Sequence, residues 1–201
     1  MKKLLKRVFL CFLAVCVVYV GALMLDRQKL KNELVRLHVV AASDSGEDQA
    51  IKLRVRDAVL ESLREGLADV TDIEAAKAYI RSQLPKLESA ANEVLAAAGC
   101  GDAATVSLQV EEFAARVYDT FSLPAGLYES LRVTIGEGEG KNWWCVTFPT
   151  LCIPATTEGF EAVAAGAGFS DDLTGTLTGE YEVRFYLLDL LGQLENFLHR
   201  D

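Results

Sequence analysis

The sequence predicts a mixed α/β fold: a single two-layer domain with helices packed on a mixed sheet of about four to five strands. A membrane segment precedes it and a carboxyl-terminal amphipathic helix follows. Three observations predict this. Strand, turn and helix signals succeed one another without a gap from Leu34 to Leu63, and the apolar period shortens to two at Thr105. A basic cluster at the very start opens directly onto an uncharged apolar run. The 201 residues, 51% of them apolar, are enough for one real core. The divisions expected are a signal peptide or membrane anchor over 1–25, an exported domain over 26–153, an Ala/Gly/Thr-rich linker over 154–179 and the helix over 180–201.

Lys2, Lys3, Lys6 and Arg7 precede the apolar run Val8 to Leu25, which Asp26, Arg27 and Lys29 close. That run is long for a signal-peptide core and just long enough for a tilted span, so a cleaved signal and a retained anchor both stay open. Small residues at Val20-Gly21-Ala22 would suit a signal peptidase. The positive-inside rule sends everything after Leu25 across the membrane. Without its four cytoplasmic cations the chain carries 16 basic and 29 acidic residues, a net charge of −13. Nucleic acid and anionic lipid headgroups are poor partners for such a surface, and a protein is the better one. Membrane contact is expected only through the amino-terminal segment.

Leu34 to Val40 reads as a strand, with Leu37 and Val39 opposite Arg36 and His38. Ser43, Asp44 and Ser45 are helix-capping types, and Glu47 and Asp48 suit a helix amino terminus near Gly46. Ile51, Val55, Val59 and Leu63 form the apolar stripe of that helix, with Leu53 and Leu60 outside it. Thr71-Asp72-Ile73-Glu74 has the form of a capping box opening a second helix, which Pro85 is expected to kink or split. Val106, Leu108 and Val110 alternate as a strand, and Phe113 to Phe121 resume the alternation after Glu111-Glu112. Leu131, Val133 and Ile135 then pair, on this reading, with Trp143 to Phe148 in a hairpin whose second strand, apolar on both parities, is central. The intervening Gly136 to Gly140 is no phosphate loop, because it opens no helix and carries two carboxylates. The final apolar face (Val183, Leu187, Leu190, Leu191, Leu194, Phe197, Leu198) must dock on the domain's own sheet, on another protein or on a membrane surface. Glu180, Glu182, Asp189 and Glu195 argue against the last.

Chemistry is sparse. His38 and His199 are the two histidines; no serine or cysteine lies in a nucleophile-elbow context, and no cysteine spacing is a zinc pattern. No catalytic residue, metal or cofactor is therefore expected. An extracytoplasmic hydrolase using His38 and Asp44 is the alternative. Cys145 and Cys152 flank Pro149 closely enough to bond or to remain two buried thiols, with Cys100 left unpaired. The candidate partner-binding residues are Ser43, Asp44 and Ser45, with Arg36 and His38 beside them, and Trp143 and Trp144, which take opposite sides of their strand.

The stretch RLHVVAASDSGEDQAIKLRVRDAVL resembles the signature of the stage II sporulation protein R family. LPAGLYESLRVTIGEGEGKNWWCVTFPTLCI is similar to that family's second block, and YEVRFYLLDLL to its carboxyl-terminal helix. Ala42 stands where the family commonly has Asn, and Ala114 and Asp119 replace a Pro and a Gly. The resemblance implies a protein made in the forespore and exported into the space between two membranes. It implies a signal, with no catalytic residues of its own, to a membrane-embedded aspartic protease of the mother cell that processes the precursor of sigma factor E.

Overall fold

Strand β1 (Val35–Val40) is buried along its whole length, which requires neighbours on both edges and cover on both faces. A computed structural model, describing residues 1–118, 121–148, 166, 169–179 and 182–199, supplies all four. β2 (Ala104–Phe113), β5 (Gly126–Ile135) and β6 (Asn142–Phe148) complete a four-stranded sheet of order β2-β5-β1-β6. β1 lies parallel to β5, with Leu37 opposite Leu131, and antiparallel to β6, with His38 opposite Trp144. β2 pairs antiparallel with β5 in one unbroken register from Ala104 to Phe113, so Glu111-Glu112 do not interrupt it. The short β3 (Arg116–Val117) and β4 (Ser122–Leu123) form a separate two-stranded ladder.

Two expectations are corrected here. β5 and β6 are not a hairpin, because β1 lies between them, and β6 is a terminal strand of the sheet. Both parities of β6 are apolar because both sheet faces are covered. Trp143 packs with the first core and Trp144 with the second.

The mixed α/β architecture is otherwise the one the sequence predicts. Helices α2 (Gly46–Leu67) and α3 (Ile73–Ala97) cover one face, packing Val55, Val59, Leu63, Ile80 and Leu87 on Leu37, Val39, Leu131 and Val133. Ser45 caps α2 by accepting from the Asp48 N–H at 3.0 Å. Asp72 rather than Thr71 caps α3, accepting from Ala75 N–H at 2.8 Å. Pro85 sits inside α3, which runs as one element through it.

Helices also close the opposite face. The end of α1 (Lys2–Glu33), α4 (Asp171–Thr178) and α5 (Glu182–His199) bring Leu23, Leu30, Leu173, Leu177 and Leu188 onto Phe113, Leu123, Tyr128 and Val146. Within the stretch 154–179 expected to be a linker, residues 171–178 are therefore a buried helix, capped by Ser170. Its two turns are too few for an apolar period to show, and Gly175 sits on its buried side. Of the three docking alternatives for α5, its own chain takes one side. Glu195 receives Arg27 and Lys31, each at 2.6 Å, and Asp189 accepts from the Ala125 N–H at 2.8 Å. α1 itself is the one helix among the described residues long and apolar enough to cross a membrane, consistent with an anchor or a signal sequence.

Candidate functional site

Beyond Val40 the chain turns through Ala41 to Ser45 into α2, and the loop from Gly136 to Lys141 passes over this same end of the sheet on its way from β5 to β6. The loop must cross β1 because its two strands flank it. Three backbone contacts hold the crossing. Gly140 N–H donates to the Ala41 carbonyl at 2.9 Å, Lys141 N–H to Asp44 Oδ1 at 2.7 Å, and Lys52 Nζ to the Lys141 carbonyl at 2.9 Å. Gly138 has φ +68°, a conformation that strains any side chain. A Cβ at Gly140 would run into the Ser43 carbonyl. Gln49 donates to the Ser43 carbonyl at 2.8 Å, and the Ser43 hydroxyl donates to Asp48. Burial lowers the Lys52 ammonium below its ordinary value, with Asp44 opposing that shift. The outcome is a rigid clasp that leaves Asp44, Ser45, Glu137, Glu139 and Lys141 exposed.

Asn142 connects the clasp to a buried polar cluster on the second sheet face. His38 Nε2 lies 2.8 Å from Asn142 Oδ1, and its Nδ1 lies 3.3 Å from each Glu111 oxygen. The imidazole stacks on Trp144 at 3.8 Å between ring centres. Glu111 also receives Arg132 at 2.6 Å. Burial would raise the Glu111 carboxyl, but hydrogen bonds from His38 and Arg132 bring it down to about 2. Farther along, the Arg36 guanidinium sits 3.9 Å from the Phe113 ring centre and donates to Tyr118 Oη at 2.8 Å, leaving Nε and Nη1 without hydrogen bonds. Burial lowers its pKa.

This geometry corrects the candidate surface. Arg36 is 0% exposed and His38 is 5% exposed, so neither can flank the turn as a contact residue; strand parity placed them on the second face, which α1, α4 and α5 then cover. His38 is paired with Glu111, whereas Asp44 is bound to Lys141, so the structure does not bring the two hydrolase candidates together. Asp44 does not cap the helix. Trp143 is half-buried under Arg56, whose guanidinium lies 4.4 Å from its ring centre, and Trp144 is half-buried against His38. Asp44 and Ser45 remain exposed, and Ser43 is half-buried. Cys145 is half-buried and disulfide-bonded, Cys100 is a free thiol, and Cys152 and Pro149 lie outside the described residues. Sequence reasoning missed Lys52, Glu111, Lys141 and Asn142. Glu111 sat in an apparent break in alternation, and a charged residue inside an otherwise β-patterned run is the signal that could have found it.

A model of the stage II sporulation protein R family matches residues 31–158, most of the chain, and includes both the clasp and the buried cluster. The chain belongs to the stage II sporulation protein R family. Stage II sporulation protein R of Bacillus subtilis (strain 168) is 38% identical over 123 residues, which cover 61% of this chain and 55% of that protein. The similarity thus spans little more than half the length of that curated relative. No solved structure matches. Within the stage II sporulation protein R match lie β1 to β6, α2 and α3; most of α1, and all of α4 and α5, fall outside it.

Proposed function

We propose that this chain is an exported sporulation signal that acts by contact with a protein, and that its target is the membrane-embedded aspartic protease processing the precursor of sigma factor E. Family membership supports the sporulation role, and α1 supports passage to or into a membrane. The observation that carries the contact reading is the clasp. Its exposed Asp44 and Ser45 are fixed by backbone hydrogen bonds before any partner arrives, so little conformational entropy remains to be lost on binding.

Asp44→Ala separates a structural role from a contact role. Losing the acceptor for the Lys141 N–H is expected to cost about 1 kcal/mol of stability, which a marginally stable domain survives. Loss of a charged contact at an interface costs several-fold more in binding. The expected result is a secreted, folded variant that fails to support sigma-factor processing. Normal processing at normal secreted levels would remove the clasp as the contact surface.

A further inference from the structure

The side of α5 turned away from the domain is almost wholly apolar. Val183, Tyr186, Leu190, Leu194, Phe197 and Leu198 recur at helical spacing, each between 53% and 73% exposed. Of the acidic residues that argued from sequence against a membrane face, Asp189 and Glu195 are used on the other side. Glu195 is held by Arg27, Lys31 and the Leu127 N–H, Asp189 by the Ala125 N–H and Gln193, and the basic Arg184 by Asp26. An exposed stripe of this kind needs an occupant.

Its position against α1 says which. Neighbouring α1 residues Asp26 and Arg27 grip Arg184 and Glu195, which are eleven residues apart and so about 16 Å apart along α5. One helix touching the other at such separated points from adjacent positions runs across it. The crossing lies where the apolar run of α1 ends, at Leu25. Direction follows as well. Arg27 and Lys31 meet Glu195, and the cleft that Arg27 and Glu195 line also takes in Met24, one turn nearer the apolar run, with Leu194 and Leu198 of the stripe. With α1 along the bilayer normal, α5 therefore lies in the membrane plane with its apolar stripe facing the hydrocarbon. Tyr186 and Phe197 in that stripe suit the headgroup level.

We propose that α5 is an interfacial helix that rests the domain on the lipid bilayer in which α1 is anchored. The exposed Met24 of α1 lines the same cleft as Leu194 and Leu198 of the stripe, so on this proposal the two form one lipid-facing surface.

The test uses the full chain carrying Leu194→Trp, reconstituted in phosphatidylcholine vesicles with brominated or ordinary acyl chains. Bromine quenches only indoles that reach the acyl region. The added emission should be lost largely in brominated lipid, more with bromines near the headgroup end than near the chain terminus, while emission from native Trp143 and Trp144 is unchanged. Leu190→Trp, one turn away, repeats the measurement if the first substitution perturbs folding. Equal emission from both variants in both lipids overturns the proposal. So does their protection together with cross-linking between chains, which would make a second copy the occupant.

Discussion

The Glu111 side chain is 9% exposed and carries its charge against both His38 and Arg132. Its carboxyl falls from 4.5 to about 2 on folding, so it stabilises the fold above pH 4.5 and that contribution disappears as pH drops towards 2. The amount is on the order of 2 kcal/mol once partial solvent screening is allowed for. Glu195 shifts in the same direction: burial opposes its ionisation, but the hydrogen bond from Lys31 and that from the Leu127 N–H outweigh it. Denaturant titrations at neutral pH and near pH 3 should show a clear loss in the native chain. Glu111→Gln should begin less stable at neutral pH, because it leaves His38 and Arg132 without their carboxylate, and should lose less on acidification. At this scale the sequence was legible in parity and silent about depth. Alternation put Arg36 and His38 on the face opposite Leu37, where they are, but whether a second layer covers that face is decided by α1, α4 and α5, remote in sequence.

The clasp depends on a loop that must pass closely over the end of β1. Gly140→Ala drives a methyl into the Ser43 carbonyl, and backbone cannot yield as a flexible side-chain tip can. We expect a loss of about 1–3 kcal/mol and faster amide exchange at Gly140 and Lys141, read by hydrogen–deuterium exchange, with protection in α3 unchanged below the global unfolding limit. Unchanged exchange at both amides would show that the loop crosses elsewhere. Helix α2 and the strand before it were readable because local signals suffice: a capping serine, acidic residues in the first turn and an apolar stripe. The β5–β6 pairing was misread because a short glycine-rich connection ordinarily signals a hairpin. Nothing local reports that an earlier strand has taken the place between its ends.

For the whole molecule, α5 completes the second core through Leu188, and Asn196 donates to the Phe113 carbonyl at 3.0 Å. A chain ending before residue 182 should leave Arg27 and Lys31 without Glu195, expose Phe113 and Tyr128, and melt at a markedly lower temperature or aggregate. An unchanged melting temperature would show α5 to be dispensable to the fold. The sequence showed this helix and its apolar width, but a face that serves two occupants looks the same in sequence as a broad face that serves one.

Helix α1 passes from its apolar run into the core without a break, Leu23 and Leu30 being buried among residues of the domain. A signal on a flexible tether sweeps a volume, and its local concentration falls as that volume grows. With α1 retained as the anchor proposed above, a domain joined to its bilayer by continuous helix has almost no such volume. It moves in two dimensions, keeps one height above the lipid and one face turned outward, and can engage only a target that comes within that fixed reach. Under the signalling function proposed above, the spacing between two apposed membranes would then become a variable that the signal reads.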